Sequence, residues 1–177
     1  ALDFALKQSG LPDSKPETRK KNLDIILSVQ ADTYIYHELG ELTESIFDVD
    51  IWQNLISEFA QTPVELLART VKDLLADTHP AGTLKHIITK RDNAGLGFYA
   101  AFIDGMAKVL FPEIRSAFEA FLSDKDWDKI EQARKKGLST AKMHAQTMME
   151  LFQKGREKEN MKWVKDNIEE TLIQPLL

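Results

Sequence analysis

Nonpolar side chains return every three or four positions along most of the chain, and no segment shows the sustained alternation of a half-buried strand. The stretch from Trp127 to Leu151 shows this spacing most clearly, with polar residues between the apolar positions. Such a pattern is typical of helices that bury one face. It predicts an all-α fold, a compact bundle of roughly seven to nine mostly antiparallel helices with short connections.

Residues that favour helix N-termini divide this pattern into segments. Two segments have the form of a capping box, in which a hydroxyl accepts from the third helical amide and a glutamate reaches back. At two further starts, a lone aspartate or threonine offers a side-chain oxygen to a free amide. The predicted starts are Ser14-Lys15-Pro16-Glu17, Asp50, Thr62-Pro63-Val64-Glu65 and Thr83.

The first long helical pattern extends over about thirty residues, which exceeds the usual length of a helix in globular proteins. We therefore expect it to break near Ala31-Asp32-Thr33 or to bend at Gly40. Gly155 is expected to end the long helix that begins near Trp127, because glycine commonly follows the last residue of a helix.

The most apolar segment, from Ala94 to Phe111, is interrupted by Asp104 and Lys108. It therefore predicts a core helix and not a membrane span. Asp104 has two interpretations. It is either an exposed carboxylate that pairs with Lys108 one turn later, which we favour, or a buried carboxylate that faces a pocket.

The composition fits one globular domain over residues 1–177, since 43% of the side chains are hydrophobic and 29% are charged. Residues 1–13 are expected to form a loosely attached N-terminal segment. No cysteine is present, which excludes disulfides, thiolate metal sites and cysteine nucleophiles. The first residues lack the pattern of a signal peptide, and we expect a cytoplasmic protein.

The net charge of −5 argues against nucleic-acid binding, which usually needs a basic face. The clusters Arg19-Lys20-Lys21 and Arg134-Lys135-Lys136 lie beside acidic residues within helical patterns. They predict solvated helix faces. Neither nucleic acid nor a membrane is therefore an expected partner.

The segment around His37 contains the best candidate for metal binding. His37 and Glu41 are one helical turn apart, so both project from the same side of a helix. An imidazole and a carboxylate at this spacing can share a divalent metal ion, with His79 or His86 completing the set of ligands. The alternative, which we favour, is a partly buried histidine that hydrogen-bonds to Glu41 on a helix flank.

Motifs of phosphate-binding loops, serine-hydrolase elbows and zinc proteases are missing. The leading hypothesis is a binding or regulatory module without enzymatic activity. It would engage a protein partner, a small ligand or a second copy of itself through its apolar helix faces. The most apolar of these faces are Leu66–Leu75 and Met143–Phe152.

Two further hypotheses stay open. One is a metal-dependent helical bundle, a hydrolase or a redox protein, in which a divalent metal is the cofactor and His37 and Glu41 are ligands. The other is a sensor of apolar ligands, built around the helix that carries Phe98, Phe102 and Met106.

Overall fold

The computed structural model describes residues 1–13 and 15–176, which form helices joined by short connections, with no β-strand among them. The predicted all-α bundle is confirmed, with slightly more helices than expected. The α-helices are α1 (Leu2–Gln8), α2 (Pro16–Lys21), α3 (Leu23–Thr43), α4 (Val49–Glu58), α5 (Pro63–Thr78), α6 (Thr83–Lys90), α7 (Asn93–Phe102), α8 (Gly105–Leu110), α9 (Pro112–Asp124), α10 (Trp127–Glu157) and α11 (Met161–Ile168). A π-helical turn (Glu169–Ile173) and a 3-10 turn (Gln174–Leu176) follow α11.

Helix α5 is surrounded by other helices and packs against α3, α6 and α10. Its apolar side chains recur at three- and four-residue spacing, and Val64, Leu67, Val71 and Leu75 are completely buried. Burial of each such side chain contributes about 1.5–3 kcal/mol to the stability of the fold. The interior of the bundle is therefore built around this helix.

The N-terminal segment packs on α7. Ala5 and Leu6 of α1 are almost completely buried, and with Leu11 and Phe98 they form a second, small apolar cluster. Segment 1–13, expected to be loosely attached, therefore has a buried interface of its own. Ser14, the predicted capping residue, lies outside the described residues. The cap position of α2 is Lys15, and Pro16 is the first helical residue.

The long N-terminal pattern divides earlier than predicted. Helix α2 ends at Lys21, and α3 then continues through both places where we expected a break or a bend. The separation falls at Asn22, whose side-chain amide donates to the carbonyl of Thr18 at 2.8 Å. Asparagine side chains compete in this way with the helical hydrogen-bond ladder.

The prediction of a capping box is best confirmed at α5. Thr62 Oγ1 accepts from the amide of Glu65 at 3.5 Å, which is a long hydrogen bond. Glu65 Oε2 accepts from the amide of Gln61 at 2.6 Å. The glutamate thus reaches one residue further back than in the usual capping box.

Two other predicted helix starts are wrong by one or two positions. Asp48, and not Asp50, caps α4, because its carboxylate accepts from two of the amides that follow, at 3.0 and 3.1 Å. The cap position of α6 is Gly82, and Thr83 is the first helical residue. The hydroxyl of Thr83 donates instead to the carbonyl of Thr33 at 3.0 Å, which joins α6 to α3.

The apolar segment predicted as one core helix is divided in two. Helix α7 ends at Phe102, the backbone is extended at Ile103 and Asp104, and α8 begins at the next residue. Asp104 is exposed, as we favoured, but it lies at the cap position before α8 and forms no ion pair with Lys108 among the described residues. It contributes instead to the lining of a cavity, as the alternative interpretation expected of a buried carboxylate. Within the described part of the chain, no helix combines the length and the apolarity needed to cross a membrane.

Two features of α10 differ from the predictions. Gly155 lies inside the helix, where a Cβ atom would come 1.8 Å from Val164 Cγ2, so glycine allows α11 to pack closely. Arg134 is not solvated: it is 4% exposed, pairs with Glu131 and donates to the carbonyl of Thr78 near the end of α5. A buried charge needs such partners.

The two apolar stretches expected to engage a partner mainly form the core. Between Leu66 and Leu75, most apolar side chains are buried and Leu66 is exposed. Between Met143 and Phe152, Met148 and Phe152 are buried and Met143 is exposed. His144 is also buried, with its Nδ1 atom 2.8 Å from a carbonyl of the preceding turn. A partner surface must therefore be sought elsewhere.

Candidate functional site

Helices α3 and α5 meet backbone to backbone at Gly40. A Cβ atom on Gly40 would come 2.2 Å from the carbonyl oxygen of Ala76, so this approach requires glycine. Polar side chains at i and i+4 flank the contact on each helix and therefore face the junction. They are His37 and Glu41 on α3, and Asp73 and Asp77 on α5.

Asp77 accepts hydrogen bonds from two side chains. His37 Nδ1 lies 2.9 Å from Asp77 Oδ1, and Tyr99 Oη donates to Asp77 Oδ2 at 3.1 Å. An ionised carboxylate can only accept a hydrogen bond, so the proton between the two groups belongs to His37 Nδ1. The other ring nitrogen, Nε2, does not take part in this hydrogen bond. The arrangement fixes the orientation of the imidazole ring.

Two of these groups have shifted pKa values. The hydrogen bond to Asp77 raises the pKa of His37, and the charges of Asp77, Asp73 and Glu41 add to this effect, while burial opposes it. Burial raises the pKa of Tyr99 well above 10.0, and the charge of Asp77 and the hydrogen bond to it raise this pKa further. His37 therefore keeps its proton to a higher pH than a free histidine.

A possible set of metal ligands lies at the same junction. His37, Glu41 and Asp73 each offer one ligand atom, and these atoms all lie within 4.8 Å of one another. Glu41 Oε1 also accepts from Lys72 Nζ at 2.7 Å. The Asp73 residue is exposed, but nearby protein atoms partly desolvate its carboxyl group, which raises its pKa. The charges of Asp77 and Glu41 raise this pKa further.

A cavity of about 550 Å³ lies beside this cluster, between α3, α5 and the break that separates α7 from α8. Its polar lining includes His37, Asp73, Asp77 and Tyr99. Much of the remaining lining is apolar and comprises Leu66, Leu74, Phe102, Ile103, Met106 and Ala107. Nine of the sixteen lining residues are polar, Asp104 among them, so the cavity combines apolar walls with convergent polar groups, as ligand sites do.

Gln30 adds a buried donor to the cavity lining. It is 8% exposed, and its Nε2 atom has no hydrogen-bond partner among the described residues. A buried amide group without a partner costs about 1–3 kcal/mol. The Nε2 atom has almost no exposed surface, so a ligand in the cavity could accept from it only after the Gln30 side chain rotates.

The structure brings together two of the four predicted metal ligands. His37 and Glu41 share the cluster, whereas His79 Nδ1 accepts from the amide of Ala81 at 3.1 Å, beyond the end of α5. His86 Nε2 lies 3.1 Å from a carboxylate oxygen of Asp32, and the His86 ring stacks on a tyrosine at 3.7 Å between centroids. A carboxylate, Asp73, takes the place that we expected a second histidine to occupy.

The sequence analysis missed Gln30, Asp73, Asp77 and Tyr99. The spacing of the two aspartates could have indicated a site. Two like charges at i and i+4 destabilise a helix, so such a pair suggests a functional role. Gln30 and Tyr99 carried no comparable signal, since each is a single polar group in an otherwise helical pattern.

Residues 1–171 match the model of a family described as family of unknown function (DUF6866) C-terminal domain. The chain belongs to this family. No curated protein and no solved structure matches the chain. The match to the DUF6866 C-terminal domain includes α3, α5, α7 and α8, so the junction and the cavity both lie within the family domain.

Proposed function

We propose that this domain binds a small organic ligand in the cavity between α3, α5 and the α7–α8 break. The observation that carries the proposal is the cavity of about 550 Å³, whose apolar walls adjoin the hydrogen-bonded group of His37, Asp77 and Tyr99. Sites for small molecules commonly have volumes of about 300–1,000 Å³, with apolar walls and a few placed polar groups. This function is a form of the binding module favoured by the sequence.

The lining indicates the chemistry of the ligand. An apolar ring or chain suits the wall formed by Leu74, Phe102 and Met106. A carbonyl oxygen suits the unpaired N–H of Gln30 once that side chain turns toward the cavity. Asp73 and Asp77 would repel a ligand that carries a net negative charge. We therefore expect a neutral or cationic molecule with an apolar part and a carbonyl group.

The experiment is a titration of the full chain with a panel of neutral aryl amides that begins with benzamide, observed by saturation-transfer NMR in the presence of a chelator. Ligands of this size bind weakly, with dissociation constants of about 1 mM. The variant Ala107→Phe fills the cavity and should abolish the signal. The matched control Val109→Phe changes an exposed residue of the same helix that is not in the cavity lining.

Two outcomes would contradict the proposal. One is that no member of the panel binds the unmodified chain. The other is that Ala107→Phe and Val109→Phe bind the panel equally well while both retain the helical circular-dichroism spectrum.

A second candidate function is docking of a protein partner or a second copy of the chain on α3. Ile35, Leu39 and Leu42 lie on one face of this helix and are exposed, Leu42 by 81%. Contiguous apolar patches of this kind mark interaction surfaces when they are large enough. If sedimentation shows the same monomer for the unmodified chain and for Leu42→Glu up to high concentration, self-association through this face is ruled out.

A further inference from the structure

We propose that His37, Glu41 and Asp73 bind a divalent transition-metal ion, of the class that includes Zn²⁺ and Mn²⁺, at the junction of α3 and α5. One imidazole and two carboxylates form a nitrogen and oxygen donor set that suits these ions. The site adjoins the cavity of the proposed function, but it rests on a separate observation, because Glu41 is not part of the cavity lining.

The distances among the three side chains permit a shared ion. Ligand atoms that each lie about 2.0–2.2 Å from a zinc ion are at most about 4.4 Å apart. The candidate atoms of His37, Glu41 and Asp73 all lie within 4.8 Å of one another. The 4.8 Å limit is close to this value, so binding of an ion would draw the three side chains slightly together.

Asp77 orients the histidine for this role. Its Oδ1 atom lies 2.9 Å from His37 Nδ1, which directs the proton to that nitrogen and leaves Nε2 available for a metal. Metal-binding histidines commonly donate their other N–H to a carboxylate, which fixes the ring and makes it more basic. Tyr99 in turn holds the second oxygen of Asp77 at 3.1 Å.

The local charge also favours a cation. Glu41, Asp73 and Asp77 bring three carboxylates to one junction, and Lys72 provides a positive charge through its 2.7 Å contact with Glu41 Oε1. A metal ion would satisfy the carboxylates more completely, and Glu41 would turn from Lys72 or bind through its other oxygen. Lys72 is thus a competitor of the metal, which gives the proposal a directional test.

The proposed ligand of the adjoining cavity would lie close to this metal site, because His37 and Asp73 also belong to the cavity lining. An acceptor oxygen placed there would lie in the field of Asp73 and Asp77. A cation at the junction would offset the repulsion between these carboxylates and that oxygen. The metal and the organic ligand would therefore support each other's binding.

The test is a calorimetric titration of the full chain, freed of metal by a chelator, with Zn²⁺ and in parallel with Mn²⁺. We expect one ion per chain. Glu41→Gln and Asp73→Asn should each weaken binding by at least about 10-fold, and Asp77→Asn by about 10–100-fold, as for carboxylates that support a metal-bound histidine. Lys72→Met should tighten binding, because it releases Glu41.

Glu38→Gln is the matched control, since it removes an exposed carboxylate from the same helix and is not part of the cluster. It should change the dissociation constant less than twofold, and the melting temperature of each variant without metal shows whether it is folded. Binding of less than about 0.1 ion per chain would overturn the proposal. So would binding that Glu41→Gln leaves unchanged but that a combined His79→Ala and His86→Ala substitution removes.

The two proposals fail separately. If aryl amides bind in the presence of chelator but Zn²⁺ does not bind, the cavity function stands and the metal site is wrong. If Zn²⁺ binds to Ala107→Phe as it does to the unmodified chain and no amide binds to either, the metal site stands and the cavity function is wrong.

Discussion

Helices α3 and α5 form the two sides of the candidate site, but they are built in opposite ways. Helix α5 buries its apolar stripe in the core, whereas the buried residues of α3 are Gln30 and Gly40, and several of its leucines and isoleucines are exposed. Helix α5 thus provides stability. Helix α3 packs only Ile26 and Val29 against the small N-terminal cluster, is otherwise held by the glycine contact and by polar bonds, and brings functional groups to the junction.

The substitution Leu75→Ala tests this division with the largest expected effect. Leu75 is 0% exposed, so its truncation removes buried apolar surface and leaves a cavity, which should lower the free energy of unfolding by about 2–5 kcal/mol. Leu42→Ala on α3 is the matched control and should change it by less than about 0.5 kcal/mol. Urea denaturation of both variants measures the difference, and equal effects would show that α3 also contributes to the core.

Gly40→Ala tests the contact that holds the two helices together. Alanine favours an isolated helix over glycine by about 1 kcal/mol, but here its Cβ would lie 2.2 Å from the carbonyl of Ala76. We expect a net destabilisation of about 1–3 kcal/mol, as for other overpacked sites. Ser28→Ala, an exposed change on α3, is the control, and a stabilised Gly40→Ala variant would contradict the tight contact.

Gln30→Leu separates stability from function on α3. The change removes a buried donor that lacks a partner, so the free energy of unfolding should rise by about 1 kcal/mol. Binding of aryl amides should weaken, because the donor to the carbonyl is lost. Thermal unfolding and the NMR titration measure the two effects, and a loss of stability would show that the amide is paired in solution.

The smallest effect concerns the protonation of His37. Its pKa is raised above the ordinary value of 6.5 by the hydrogen bond to Asp77 and by the nearby carboxylates. A raised pKa in the folded state means that protonated His37 stabilises the fold fully below pH 6.5, and that this contribution is lost as the pH rises through the folded pKa.

An NMR titration of the His37 ring in the presence of a chelator measures this pKa directly. In Asp77→Asn the pKa should fall towards 6.5, since the main cause of the shift is removed. A pKa at or below 6.5 in the unmodified chain would contradict the hydrogen-bonded pair.

Local chemistry explains why much of the fold could be predicted. Apolar spacing and the Thr62–Glu65 start act within a few residues, so the helices followed from the pattern and α5 began where it was expected. The errors arose where a distant neighbour decided the outcome. Gly155 stays helical because Val164 packs on it, and Arg134 is buried because it bonds to the end of α5.

Apolar periodicity was enough to predict that the chain is helical and that His37 and Glu41 share one side of a helix. The tertiary structure alone decided that Asp73 and Asp77, 36 and 40 positions after His37, complete the junction, and that His79 and His86 lie elsewhere. The physical reason is that periodicity reports which residues share a face of one helix. Which faces meet depends on close contacts such as that between Gly40 and Ala76, which no local pattern records.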